Sequence, residues 1–420
     1  MKRTLRSRLS EMQRTGEVKT GRQLADSLQA NQGTDLFPDL PGEASLGETP
    51  FGPCYMREIK YPLGYRHGGM SLAGVLSCRE GDLTLCAGDS ALRSFDPRQA
   101  LFLDTETTGL SGGAGTWAFL IGLGWLEGNH FMTRQYFLRR PAEERAILSH
   151  FAAMASEFPT LVTFNGKMFD LPLIQTRQTL AGFRQTIPPR HLDLLHCARL
   201  LWKNRLASRS LRSLEEALLG LQRSDDIPGA EIPAVYFDFL RRGKTEQLKK
   251  VFRHNILDIL SMVTLLERVS SLSAGRLVEH PAEALAMGRL CLRSGRTGRG
   301  EAYLREAAGC SLAPLAEEAA LELALHYKRE GKWAEAELIW QNAVKSNPAN
   351  PAPYIELAKY YEHRLGDYRA AIKLTGQAAA LAAGADRGTP PAGELSVPAL
   401  QHRLNRLRRR LSRQAKLPPE

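Results

Sequence analysis

The sequence changes its periodicity near residue 280, so one chain must combine two architectures. Before that point, short apolar runs alternate with amphipathic stretches, as in LFLD, WAFLIGLGWLEGNHFMTRQYFL and AEERAILSHFAAMASEF. The resulting order, β-β-β-α-β-α followed by more helix, predicts a mixed β-sheet flanked by helices. Beyond residue 280 the chain is rich in alanine, and its apolar positions recur at helical spacing, which predicts an all-α domain.

Two segments of the second part resemble each other: ELALHYKREGKWAEAELIW is echoed by ELAKYYEHRLGDYRAAIKL. Tyr327 and Tyr361 are 34 residues apart, and Gly331 and Gly366 are 35 residues apart. A period of this length, with a small residue at the turn, is typical of tetratricopeptide repeats. An earlier stretch, PAEALAMGRLCLRSGRTGRGEAYLREAA, resembles a degenerate unit of the same kind. A generic bundle of helical hairpins is the alternative.

These patterns divide the chain into five segments. Residues 1–50 are predicted to be a flexible basic arm, 51–98 a small β-rich extension and 99–270 the mixed-sheet domain. Residues 281–383 hold the helical repeats, and 384–420 a linker and a basic helical tail, HRLNRLRRRLSRQAK. The tail has two interpretations that stay open: a solvated helix face, or a contact for nucleic acid or another partner.

The charge balance favours a polyanionic partner. With 420 residues, the chain has a net charge of +11 and an isoelectric point of about 9.4, which points to nucleic acid before a membrane surface. No apolar run reaches the ~18–20 residues of a membrane span, so no membrane association is expected. The six scattered cysteines form no CxxC pair, and reduced thiols in a cytoplasmic protein are the expected state.

Two carboxylates stand at the end of the apolar run LFLD. Asp104 and Glu106 are two residues apart, and alternate residues of a strand point to the same face. Burying both charges is costly unless a cation neutralises them, and carboxylate oxygens are ligands that Mg²⁺ and Mn²⁺ prefer. Two solvated acids just past a strand end are the ordinary alternative.

Further acids occur in comparable contexts. Asp170 follows the strand-like run TLVTFN and opens a helix, whereas Asp193 in HLDLLH is favoured as a helix N-cap. His254 and Asp258 are four residues apart in HNILDIL, which places them on one helical face. Because Asp258 stands among apolar neighbours, it must face either solvent or a site.

Together, Asp104-x-Glu106, Asp170 and the His254/Asp258 pair resemble the DEDD motifs of 3′–5′ exonucleases with the ribonuclease H-like fold, over about residues 99–268. The strings LDTETTGLSGGAGTWAFLIGLG, VTFNGKMFDLPLI, HLDLLHCARLLW and HNILDI are similar to bacterial YprB-type ribonuclease H-like proteins. Those proteins are also similar in having tetratricopeptide-like repeats behind the nuclease. His254 has the spacing of the tyrosine subclass of DEDD exonucleases but is a histidine, so the motif leaves the subclass open.

The resemblance implies phosphodiester hydrolysis with two ions, either Mg²⁺ or Mn²⁺. In that scheme Asp104 bridges both ions. Glu106 and Asp258 complete the site of the attacking water, and Asp170 supports the second ion. His254 orients and deprotonates the water. Side chains considered for contact with the terminal nucleotide are Thr105, Thr107, Thr108, Asn165 and Asn255. A turn role for Asn165 and a positioning role for Asn255 are the alternatives.

The implied function is a 3′–5′ exonuclease acting on DNA in repair. The same chemistry on RNA, in processing, stays open because the scissile bond is the same. An alternative of another class is an adaptor whose repeats bind a partner while a degenerate nuclease domain serves as a platform. Expected partners are nucleic acid with a 3′ end, DNA favoured over RNA, and a protein held by the repeats, with a helicase as the hypothesis. The run GLSGGAG matches neither GxxxxGK[ST] nor GxGxxG, which argues against a nucleotide-binding loop.

Overall fold

The computed structural model describes residues 44–109, 115–384 and 393–414. The chain divides into two compact units between Val278 and Glu279. Four ranges lie outside the described residues: 1–43, 110–114, 385–392 and 415–420. In that order, they contain most of the predicted basic arm, five residues of the glycine-rich run, most of the linker and the end of the basic tail.

A mixed seven-stranded sheet forms the centre of the first unit, in the order β1-β2-β7-β6-β5-β8-β9. The described strands are β1 (Ala44–Gly47), β2 (Cys54–Pro62), β3 (Arg66–His67), β4 (Met70–Ser71), β5 (Ala100–Thr107), β6 (Ala118–Glu127), β7 (His130–Phe137), β8 (Thr160–Thr163) and β9 (Arg190–Asp193). Strands β5, β8 and β9 are parallel, and the other neighbours in the sheet are antiparallel. Strands β3 and β4 form a separate two-stranded ladder.

Helices flank this sheet, as the sequence predicted. They are α1 (Thr84–Ala87), α2 (Glu144–Glu157), α3 (Asp170–Leu180), α4 (Leu194–Trp202), α5 (Leu211–Leu214), α6 (Ile232–Arg242) and α7 (Leu248–Ser273). Strand β6 is buried along all but its last residue, as expected for a central strand covered on both faces. Phe119 of β6 stacks on Tyr236 of α6, with ring centroids 4.1 Å apart.

The structure confirms the strands predicted from LFLD, TLVTFN and the hairpin around Gly128. It adds strand β9 and the pairing of β2 with the main sheet. Strand β9 was missed because its four residues directly precede a strongly helical run. Asp193 ends the strand and caps α4, accepting a 3.0 Å hydrogen bond from the amide of Leu195, so its predicted capping role is confirmed. The segment 51–98 contributes β2 to the main sheet beside β7 and continues mainly as short helical turns.

The second unit is helical, which confirms the all-α domain expected after residue 280. Its helices are α8 (Pro281–Arg293), α9 (Thr297–Ala308), α10 (Ala313–Arg329), α11 (Trp333–Ser346), α12 (Pro351–Tyr360), α13 (Tyr368–Gly384) and α14 (Val397–Gln414). Each of these helices packs against the next one along the chain. The assignment as tetratricopeptide repeats stays a prediction from the 34–35-residue spacing. Within the described ranges, the helices are all too short or too polar to cross a membrane.

Two glycines of β6 allow helix α7 to lie close against the sheet. A Cβ atom at Gly122 would stand 2.1 Å from Asn255 Oδ1, and one at Gly124 would stand 2.7 Å from Ile259 Cγ2. Gly122 pairs with Asp104 on one side and with Gln135 on the other. The missing side chain therefore leaves a space that the Asn255 side chain occupies.

We expect Gly122→Ala to destabilise the first unit by about 1–3 kcal/mol, because an added methyl group must displace Asn255 from a closely packed contact. Chemical denaturation monitored by circular dichroism measures the change. Gly64→Ala is the matched control, since a Cβ atom at exposed Gly64 meets nothing within 4 Å. Equal stability of the two variants would contradict the close contact.

Candidate active site

Four acids predicted to act together converge at the end of strand β5. Asp104 and Glu106 lie on β5 itself, Asp170 begins α3, and Asp258 lies on α7. Asp170 is tied directly to the strand: its Oδ1 accepts hydrogen bonds from the amide and the hydroxyl of Thr105, at 3.0 and 2.5 Å. The hydroxyl of Thr105 is thus engaged with Asp170.

Asn255, on helix α7, positions the carboxylate of Asp104. Its Nδ2 donates to Asp104 Oδ2 at 2.8 Å and to the Asp104 carbonyl at 3.2 Å. Its Oδ1 accepts from Gln135 Nε2 at 2.8 Å, which fixes the orientation of the amide. Asn255 is fully buried, and its side chain contacts the site through Asp104 in this structure.

The acids are close enough to raise one another's proton affinity. Burial, and then repulsion by Asp258, Glu106 and Asp170, raises the pKa of Asp104 well above its usual value. Burial, followed by Asp258 and Asp170, likewise raises the pKa of Glu106. Burial also raises the pKa of Asp170 to about 6, against the lowering effect of its Thr105 hydrogen bonds. The cluster is therefore unfavourable as a set of anions without a nearby cation.

A buried arginine that the sequence did not single out lies beside this cluster. Arg223, whose side chain is 3% exposed, hydrogen-bonds Asp258 and Glu215 and lies 3.3 Å from Asp226. Asp226 Oδ1 in turn lies at hydrogen-bond distance, 2.8 Å, from His254 Nδ1. On the other side of the ring, His254 Nε2 lies 3.8 Å from Asp258 Oδ2. His254 and Asp258 share one face of α7, as predicted. The stretch LQRSDD carries no motif that marks Arg223 or Asp226, and only the fold brings it to the site.

The donor chemistry fits a hard divalent cation, because the converging ligands are carboxylate oxygens whose charges repel. As the side chains stand, no group of three His, Cys, Asp or Glu residues in the described part of the chain encloses a metal position. Asp258 is engaged by Arg223, and Asp170 is engaged by Thr105. A bound ion would therefore require these carboxylates to shift or to share their partners.

A cavity of about 400 Å³ opens beside Asp104, Glu106 and Asp170. Exposed apolar side chains line it next to the acids: Met168 is 72% exposed and Phe169 is 55% exposed. Further members of the lining are Thr105, Thr107 and Asn165.

The remaining candidates for substrate contact have defined partners. Asn165 adopts a positive φ of 66°, typical of a turn, and its backbone amide donates a hydrogen bond to Asp193 Oδ1 at 2.8 Å. The hydroxyl of Thr107 donates to the carbonyl of Gly109 at 3.0 Å. The hydroxyl of Thr108 accepts a hydrogen bond from the backbone amide of Trp117 at 2.9 Å. This bond links the residues on either side of the glycine-rich run.

Two sequence comparisons identify the family of this chain. A model of the RNase_H superfamily matches residues 101–270. The chain is 32% identical over 389 residues to the uncharacterised protein YprB of Bacillus subtilis strain 168, covering 89% of this chain and 93% of that protein. A family B DNA polymerase from Pyrobaculum calidifontis matches 49% of this chain and 30% of its own, at 14% identity and a TM-score of 0.34. The chain belongs to the YprB-type proteins of the ribonuclease H-like superfamily.

Without divalent cations, we expect the free energy of unfolding to fall as pH rises from about 4 to 6. Because the folded-state pKa of Asp170 is raised to about 6, the native state binds more protons than the unfolded state in that window. Added Mg²⁺ or Mn²⁺ should restore about 1–3 kcal/mol at pH 7 to 8. Urea denaturation across pH, with and without the ion, measures both effects.

The Asp170→Asn variant isolates this contribution, since the amide keeps an acceptor for Thr105 and loses the charge. We expect it to show a flatter dependence on pH and a smaller gain from the ion. Glu246→Gln, at an exposed position, is the charge-matched control. A wild-type pH slope that Asp170→Asn leaves unchanged would contradict the raised pKa of the buried Asp170 carboxylate.

Proposed function

We propose that this protein is a divalent-metal-dependent 3′–5′ exonuclease that hydrolyses nucleic acid. The observation that carries the proposal is the meeting of Asp104, Glu106, Asp170 and Asp258 at one end of a ribonuclease H-like sheet. Besides burial, repulsion by Asp258 and Asp170 raises the pKa of Asp104 and of Glu106, and binding of divalent cations would stabilise carboxylates that repel in this way. In such a site, two bound ions stabilise the attacking and leaving oxygens of phosphodiester hydrolysis.

In this proposal, Asp104, Glu106 and Asp258 would hold the ion that activates the attacking water, and Asp104 and Asp170 would hold the second ion. Asn255 keeps the Asp104 carboxylate oriented through its 2.8 Å hydrogen bond. A fixed carboxylate orientation reduces the reorganisation needed when a ligand binds.

His254 is the proposed general base for the attacking water. Its Nδ1 is held by Asp226 at 2.8 Å, which leaves Nε2 as the nitrogen that faces Asp258. An imidazole whose second nitrogen contacts a carboxylate is stabilised when it takes up a proton. Asp226 thus orients the ring, while Arg223 holds both Asp226 and Asp258 in place.

The terminal nucleotide is proposed to occupy the cavity beside the acids. Phe169 and Met168 present apolar surface to it, and a nucleotide base stacks well on an exposed aromatic ring. DNA in a repair context is the substrate proposed first, and RNA is the alternative. A cytoplasmic location and a helicase partner bound by the helical second unit belong to the same proposal.

An assay of end-labelled single strands of DNA and RNA tests this function. With a 5′ label, Mg²⁺ or Mn²⁺ should produce a ladder of products that shorten from the 3′ end, and EDTA should abolish it. Asp104→Asn should lower the rate at least ~100-fold with its fold intact, because it removes a proposed metal ligand. Immediate release of a labelled mononucleotide, internal cleavage or activity in EDTA would refute the mechanism. Absence of cleavage on every substrate would favour the adaptor alternative.

Phe169→Ala tests the proposed position of the terminal base. Loss of one stacking contact worth ~1–3 kcal/mol should raise KM for a single strand by roughly tenfold, with a smaller effect on kcat. Leu180→Ala is the matched control: Leu180 is also an exposed apolar residue, 57% exposed, at the other end of helix α3. Equal kinetics for Phe169→Ala and Leu180→Ala would exclude Phe169 as a substrate contact.

A further inference from the structure

A second cavity, of about 210 Å³, lies within the helical second unit, beside helices α12 and α14. Trp333 and Tyr360 form part of its wall, with their rings nearly parallel and their centroids 5.9 Å apart. The other side chains that matter are cationic: Lys328, Lys359, Arg364, Arg403 and Arg406.

One buried carboxylate anchors several arginines at this cavity. Glu362, whose side chain is fully buried, accepts hydrogen bonds from Arg403 at 2.5 Å and from Arg406 and Arg410 at 3.0 Å. Three guanidinium groups therefore share a single negative charge. Burial and repulsion from Arg406, opposed by Glu362, leave the pKa of Arg403 below its ordinary value. The local positive charge exceeds what Glu362 can neutralise.

Further cationic side chains line the cavity. Lys328 and Lys359 both contact Glu356 at 2.6 Å, and Lys359 also contacts Glu394 at 2.8 Å. Arg364 lies over the ring of Trp333, with its Cζ 4.4 Å from the ring centroid. Five cationic side chains, Lys328, Lys359, Arg403, Arg406 and Arg410, thus share Glu356, Glu362 and Glu394, and Arg364 adds a further positive charge.

Helix α14 extends this positive surface beyond the cavity. Its 18 residues include six arginines and no aspartate or glutamate. Leu400, Leu404 and Leu407 are buried and fix the helix, whereas four arginines are exposed. Of these, Arg410 is bonded to Glu362, and the other three are Arg408, Arg409 and Arg413. The ten steps from Arg403 to Arg413 rise by about 15 Å at 1.5 Å per residue.

We propose that this cavity and the exposed arginines of α14 bind the phosphate backbone of a nucleic-acid strand, at a site formed only by the second unit. The planar fork of arginine suits phosphate oxygens. A length of about 15 Å corresponds to roughly four phosphates at 3.4 Å per nucleotide of a strand. The choice of nucleic acid over another polyanion rests on the proposed nuclease function, whereas the positive surface itself does not depend on it.

The test measures binding without hydrolysis. Full-length protein carrying Asp104→Asn is titrated in EDTA into a fluorescent single strand of about 20 nucleotides, and anisotropy is recorded at several salt concentrations. Arg408→Ala/Arg409→Ala/Arg413→Ala should weaken binding roughly tenfold. It should also make the slope of log K against log salt shallower by about 2, since three contacts of ~0.7 each are lost.

A charge-matched control separates a local contact from general attraction. Arg329→Ala/Lys345→Ala/Lys373→Ala removes the same charge from exposed positions of the same unit, and it should change binding less than about twofold. Equal losses in both variants, or no loss in either, would overturn the proposal. Thermal unfolding checks that both triple variants fold. If the arginine triple variant does not fold, the single variant Arg409→Glu replaces it and should also weaken binding.

Competitors identify the kind of ligand. Displacement by an unlabelled strand, with little effect of inorganic phosphate or polyglutamate at equal charge concentration, is the supporting result. Displacement by phosphate alone would indicate a small-anion site, and equal displacement by polyglutamate would indicate an acidic protein partner; each would overturn the proposal. Because this assay needs no catalysis, absence of nuclease activity would refute the proposed function and leave the binding result interpretable.

Discussion

The close contact between helix α7 and strand β6 is the interaction on which the rest of the site depends. Gly122 and Gly124 leave the face of β6 bare, so the helix approaches until Asn255 fills the space between Asp104 and Gln135. The same helix presents His254 and Asp258 one turn apart. A bulkier residue at Gly122 would move the helix, and the acids of β5 and α7 would no longer meet.

Charge balance is the second constraint. Carboxylates that repel one another lower the stability of the unliganded fold, as is common where function requires a strained electrostatic arrangement. Arg223 compensates part of this charge from a buried position, where it holds Asp258, Asp226 and Glu215 together. Removing a buried partner of this kind typically costs more than an exposed ion pair contributes. Asp258 is therefore the carboxylate on which both the arginine and the proposed metal ions act.

Local pattern was sufficient for much of the first unit. LFLD, the hairpin at Gly128 and the helix that begins at Asp170 were predicted because hydrophobic periodicity and turn residues act over a few positions. Strand β9 was missed because its four residues are too few to show alternation before the helical run that follows. Arg223 and Asp226 were missed for a different reason: their roles depend on side chains 35 and 28 residues away, and nothing in LQRSDD indicates them.

The sequence by itself determined the two-part organisation, the mixed sheet with flanking helices, the helical second domain and the identity of the acids, because these follow from periodicity and from motifs that resemble a known family. Tertiary structure alone showed that Asn255 supports Asp104, that Arg223 pairs with Asp258, and that Glu362 gathers three arginines from helix α14. Such contacts join residues far apart along the chain. Their partners are selected by packing and charge in three dimensions, which short-range sequence patterns do not encode.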